Sequence, residues 1–211
     1  MAVADAPTIA FRDQPAFRTW LAEHHREQDG IWLKLAKKGS GIPSVTYAEA
    51  VVVALCFGWI DGQARSVDET SYVQRFTPRR SRSKWSKINI GKVQRLIASG
   101  EMTPSGLAEV ERAKTDGRWA AAYDPPSTAT VPDDLRVALD ANPSASASFS
   151  TITSASRYAI LFQIGDAKRP DTRARRIAKF VDDLASGREP YPRAPSKKPE
   201  RSTSVGPAAG R

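Results

Sequence analysis

Cysteine and histidine are almost missing from this sequence. Its one cysteine, Cys56, rules out an internal disulfide, and the adjacent pair His24 and His25 is too small a set for an ordinary His/Cys zinc site, so neither a metal nor a cofactor is expected. No stretch approaches the roughly 20 apolar residues needed to span a bilayer. The opening MAVADAPTIAFRDQP lacks a basic-then-apolar signal pattern, so a cytoplasmic protein without a membrane span is expected. The most informative absence is local. Residues 70–100 contain no Asp or Glu, against eight Lys and Arg.

What is present supports a folded core. The chain has 211 residues, of which 40% are hydrophobic, enough for one domain or two small ones. Fifteen prolines, 13 glycines and a mean hydropathy of -0.44 leave room for a disordered segment. The net charge of +9 is unevenly placed: residues 1–69 net -2, 70–100 net +8, 101–187 net -1 and 188–211 net +4. Concentrated positive charge favours an anionic partner, a phosphate-bearing small molecule or nucleic acid.

The pattern predicts an α+β fold, a small antiparallel sheet with packed helices, followed by an all-helical C-terminal region and a disordered basic tail. The expected boundaries are a flexible N-terminus over 1–11, the α+β domain over 12–120, a Pro-rich connector over 121–131, the helical region over 132–187 and the tail over 188–211. Asp13 can cap a first helix ending by Gly30, with His24 and His25 near its polar end. IWLKLAKK alternates as a half-buried strand. The loop KGSGIPS lacks the GxxxxGK[ST] spacing of a phosphate cradle. Thr46 and Glu49 form a capping box before the apolar run AVVVALC, which makes Cys56 a small buried hydrophobe rather than a nucleophile.

Residues 57–92, FGWIDGQARSVDETSYVQRFTPRRSRSKWSKINIGK, organise the chain. They read as a hairpin turning at Asp68–Thr70, with Trp59, Asp61, Gln63 and Arg65 on one face. That turn sets Arg75 and Thr77 opposite Gln63 and Asp61, giving either a polar site on a rigid strand or a cross-strand Asp61–Arg75 pair. Pro78 then takes the chain out of the ladder, and Ser83 or Ser86 can cap the next helix. A helix start offers free N–H groups and positive dipole, surrounded here by Arg75, Arg79, Arg80, Arg82, Lys84 and Lys87. Such a set suits a phosphate, sulfate or carboxylate, with Asp61, Gln63, Thr77, Ser83 and Ser86 in support. Trp85 can stack on a base or pack into the core. Gly91 should weaken the helix by roughly 1 kcal/mol relative to Ala.

Three functional readings follow: a non-enzymatic binding module for an anionic ligand or nucleic acid; an enzyme on a small anionic substrate, with Asp61 as acid/base and Arg75 and Arg79 as clamps; and an adaptor binding a protein partner. Beyond the connector, PDDLRVALDA, PSASASFSTI and SASRYAILFQIGDA predict helices. A fourth, PDTRARRIAKFVDDLASG, places Ile177, Phe180, Val181 and Leu184 on one face, with Arg173, Arg175, Arg176 and Lys179 elsewhere.

The ordered motifs GSGIPSVTYAEAV, FGWIDG, YVQRFTPRR, WSKIN and AKRPDTRARRIAKFV together resemble the YdeI/OmpD-associated family of bacterial proteins, also called bacteriocin-protection proteins, across about residues 12–187. The resemblance implies an α+β first part and a helical C-terminal region. It also implies a link to protection against bacteriocins, cationic antimicrobial peptides and stress, with no catalytic role to carry onto Asp61, Arg75 or Trp85.

Overall fold

A computed structural model describes residues 6–191 in two compact units that divide between Thr128 and Ala129. The first contains β1 (Thr8–Ala10), α1 (Gln14–His24), β2 (Ile31–Ala36), α2 (Tyr47–Cys56), β3 (Trp59–Ser66), β4 (Ser71–Pro78), α3 (Lys87–Ala98) and α4 (Pro104–Thr115). Its four strands form one sheet in the order β1-β2-β4-β3. The sheet is antiparallel except at its short edge, where β1 runs parallel to β2. Residues 1–11 are therefore not flexible throughout: Thr8–Ala10 pair with Trp32–Lys34.

Local chemistry starts the helices where the sequence indicated. The Asp13 side chain accepts the Ala16 amide at 2.9 Å, and Thr46 and Glu49 close their capping box, satisfying amides that a first turn leaves without partners. Of the two serines before α3, Ser86 is the cap, accepting from the Asn89 amide. Ser83 instead accepts from the Arg80 amide within the loop.

The core of this unit lies between the sheet and α1–α4. Phe17 and Leu21 of α1, Ile31, Leu33 and Leu35 of β2, and the apolar side of α2 are buried with Trp59, Phe76, Trp85 and Val93. Each such side chain contributes about 1.5–3 kcal/mol by leaving water. Helix α4 joins through an unusually close approach. A Cβ on Gly106 would lie 2.2 Å from the Cys56 carbonyl oxygen, and one on Gly58, at φ +75, would lie 3.2 Å from the Ser105 carbonyl oxygen. The Thr103 hydroxyl and amide both donate to the Cys56 carbonyl, fixing that contact.

The second unit contains α5 (Asp133–Asp140), α6 (Pro143–Thr151), α7 (Ser154–Gly165) and α8 (Pro170–Ala185). Leu135, Leu139, Phe149, Ile160, Ile164 and the predicted stripe of α8 form its core. Three of the four basic residues on the polar side of α8 are tied up within the unit. Arg173 donates to Asp134 and to the Ile164 carbonyl, Arg176 to the Gln163 carbonyl, and Lys179 to Asp183. Of the expected tail, residues 188–191 pack onto this unit: the buried Ser156 hydroxyl is 2.5 Å from Glu189 Oε1 and 3.0 Å from the Tyr191 carbonyl. The remainder, 192–211, lies outside the described residues.

Candidate functional site

The hairpin turns where expected, but its strands do not face as expected. Near the turn Arg65 pairs with Val73 and Ala64 with Gln74, while below it Asp61 pairs with Phe76 and Ile60 with Thr77. Two residues, Gly62 and Gln63, thus oppose the single Arg75: a β-bulge, which reverses the in/out alternation along β3. The Gly62 carbonyl left over by the bulge accepts 2.6 Å from Gln74 Nε2. Directly opposed residues share a face, so Asp61 lies with Phe76 on the helix side of the sheet and Arg75 on the other. The expected polar face of Asp61, Gln63, Arg75 and Thr77 does not form.

The two arginines of the hairpin cover an aromatic ring instead. Trp32, opposite Arg75 in β2, has the Arg65 guanidinium 4.2 Å and the Arg75 guanidinium 5.7 Å from its ring centre. Asp61 accepts a 2.7 Å hydrogen bond from the Tyr47 hydroxyl at the start of α2. Partial burial, and then this carboxylate, hold the Tyr47 phenol well above its usual range. Clefts of about 230 and 280 Å³ open elsewhere, and neither is lined by Asp61.

Past Pro78 the basic residues separate into two groups. Arg80, Arg82 and Lys84 are exposed on the loop, and Lys87 ion-pairs with Asp124 at 2.7 Å. Arg79 and Trp85 turn inward and are 5% and 2% exposed. The Arg79 guanidinium stacks 3.7 Å from the Trp85 ring centre, and its Nη1 donates to the Lys84 carbonyl at 3.0 Å. Trp85 also contacts Trp119, at 4.9 Å between ring centres. It is a core residue, covered against stacking on a base.

Four residues that the sequence did not single out complete the arrangement. Glu109 of α4, 4% exposed, ion-pairs with Arg112 and with Arg118, the latter at 2.9 Å, and Arg118 also holds Asp116. The same two arginines reach the loop: Arg112 donates to the Arg79 carbonyl at 3.3 Å and Arg118 to the Ser83 carbonyl at 3.2 Å. Arg79, Arg112 and Arg118 against Glu109 and Asp116 leave this network one positive charge in excess. Arg79 is the member without a bonded carboxylate. Burial pushes its guanidinium down to about 10, with Glu109 opposing that fall. The only sequence trace of these partners was the lack of acids in 70–100, which required counter-charge from elsewhere in the fold.

Both adjacent histidines make contacts within the unit. His24 lies 4.9 Å from Trp20 between ring centres, while His25 bonds through Nδ1 to the Leu21 carbonyl and through Nε2 to the Ser105 hydroxyl, each at 2.8 Å. Only a protonated Nδ1 can satisfy a carbonyl, so with neutral His25 the serine donates. Among the described residues no group of three or more His, Cys, Asp or Glu could hold a metal ion, and no helix is long and apolar enough to cross a membrane.

These features define a two-unit protein, an α+β module with an arginine-anchored basic loop, followed by a helical unit. Residues 128–187 match the family model described as Bacteriocin-protection, YdeI or OmpD-Associated. That match bears out the family resemblance for the second unit, and the description points to a bacteriocin-protection role. Residues 9–109 match a separate model, a domain of unknown function (DUF8412), so four of the five motifs, GSGIPSVTYAEAV, FGWIDG, YVQRFTPRR and WSKIN, fall in that domain. No curated protein and no solved structure matches the chain significantly.

Proposed function

We propose that the first unit is a non-enzymatic binding module that recognises a phosphate-bearing anion through the loop after its hairpin, in service of a protective, stress-related role. The observation that carries this reading is the state of Arg80 and Arg82. Both are exposed, and among the described residues neither has a carboxylate partner. They stand in a segment with no acid between residues 70 and 100. Solvent-facing guanidiniums on an anchored loop can grip phosphate oxygens two at a time and lose little order in doing so.

Fluorescence-anisotropy titration of a single-stranded oligonucleotide with the full chain tests the polyanion form of this reading. Binding should fall steeply between low and moderate salt, and Arg80→Ala with Arg82→Ala should reduce the slope of log K against log salt by about 1.4, at about 0.7 per phosphate contact on a single strand. Binding that is absent at low salt, or that ignores the double substitution, refutes it.

A further inference from the structure

The exposed arginines explain how an anion would be drawn to the loop, but not why Arg79 is inside. Among the described residues six buried side-chain nitrogens lack a hydrogen-bond partner, and four of them belong to this one network: Arg79 Nε and Nη2, Trp85 Nε1 and Arg118 Nη2. Folded proteins leave few such groups, because each costs about 1–3 kcal/mol.

Their chemistry is uniform. All four are donors, so a ligand satisfying them must be an acceptor, and the network's excess positive charge asks for a negative one. On Arg79 the two unpaired nitrogens are neighbours. Nη1 is spent on the Lys84 carbonyl, and Nε with Nη2 makes up the side edge of the guanidinium, the edge that takes two oxygens of one oxyanion in parallel. Stacking on Trp85 fixes the plane of that fork.

We propose that Arg79 is the floor of a seat for a small tetrahedral oxyanion, inorganic phosphate or the terminal phosphoryl group of a monoester, beneath the loop of residues 80–84. This rests on the reading of the segment as an anion site. The depth of the donors selects the ligand. A terminal phosphoryl group can reach a buried fork, whereas an internal phosphodiester carries chain on both sides and stays with Arg80 and Arg82 outside. The loop is held over Arg79 by guanidinium–carbonyl bonds, from Arg118 to Ser83 and from Arg79 to Lys84. Lifting it exchanges guanidinium–carbonyl bonds for bonds of the same donors to phosphate oxygens.

The test compares the full-length chain with Arg79→Met, Arg79→Lys and the double variant Arg80→Ala/Arg82→Ala in buffer free of phosphate and sulfate. Each is titrated with inorganic phosphate, with phenyl phosphate and with a single-stranded oligonucleotide, and thermal unfolding reports folding and binding together. Phosphate and phenyl phosphate should each raise the wild-type unfolding temperature and bind at least about tenfold more weakly to both Arg79 variants, since Lys keeps the charge but not the fork. The double variant should lose the oligonucleotide. If phosphate at about 100 times a millimolar Kd gives no stabilisation, where about 2.7 kcal/mol is due, the seat is refuted. It is equally refuted if Arg79→Met responds as the wild type does. In either case oligonucleotide binding that depends on Arg80 and Arg82 leaves the surface reading standing, and loss of all binding removes both.

Discussion

Two arginines of one network should respond unequally to the same substitution. Changing Arg79 to Met removes one charged hydrogen bond, worth about 1.5–3 kcal/mol, and a stack on Trp85, worth about 0.5–2 kcal/mol. It also removes two buried donors without partners, each costing about 1–3 kcal/mol, and fills their place with an apolar chain. The two sides nearly cancel, so Arg79→Met should unfold within about 2 kcal/mol of the wild type in anion-free buffer. Arg118→Met takes one of two cations from a carboxylate that is 4% exposed and frees Asp116 as well. Underpairing a buried charge costs about 3–5 kcal/mol, reduced to the lower end here because Arg112 remains. Urea unfolding of the full chain, followed by tryptophan fluorescence and far-ultraviolet circular dichroism, measures both variants. A loss in Arg79→Met as large as that in Arg118→Met would refute the reasoning, because the side edge of Arg79 would then be satisfied in the folded protein.

Glycine substitutions in α3 and α4 should also split in sign. A Cβ on Gly91 meets only Arg95 Nη1, at 3.8 Å, so Gly91→Ala should stabilise by about 0.5–1 kcal/mol in denaturant unfolding. Gly106→Ala places a Cβ 2.2 Å from the Cys56 carbonyl oxygen and should cost about 1–3 kcal/mol or more, because the group in its way is backbone. In the second unit Arg173 holds the Asp134 carboxyl below its usual range, and Lys179 with Arg188 does the same for Asp183. A carboxylate whose folded value is depressed adds stability that is complete above its unfolded value near 4 and is lost as pH falls through the folded one. Acid titration of the full chain by circular dichroism should therefore show a loss of helix below about pH 4 that Asp134→Asn with Asp183→Asn makes shallower. An unchanged profile in that variant would assign the acid transition to other groups.

Much of the fold was legible because its signals are local. Thr46 and Glu49 sit three residues apart and announce a helix start on their own, and Asp13 does the same. The hairpin turn was legible too, and its register was right as far as Ala64. Below that it failed because a bulge inserts one residue, and the one signal for it was a glycine, Gly62, inside a strand pattern. A slip of one residue exchanges faces, which is why Asp61 ended beside Tyr47 and away from Arg75. The division of the basic residues could not be read in advance. Nothing in TPRRSRSKWSK distinguishes Arg79 from Arg80. The difference is made by Glu109, Arg112 and Arg118, about 30–40 residues later in the chain, and by a tryptophan onto which Arg79 folds.

The placement of α4 explains how a segment without acids remains ordered. A run of like charges usually repels itself into an extended, solvated chain. Here Gly106 and Gly58 let α4 approach until backbone nearly meets backbone, which carries Glu109 into the interior. Glu109 gathers Arg112 and Arg118, and these bond the carbonyls of Arg79 and Ser83 rather than side chains of the loop. The loop is thus held by its backbone while its own guanidiniums keep their charge. Had acids within residues 70–100 done this work, each would have neutralised an arginine. Gly106→Ala, which touches none of the basic side chains, should accordingly weaken oligonucleotide binding as well as stability. A variant that remains folded at low temperature and binds as the wild type does would break that link between helix packing and anion recognition.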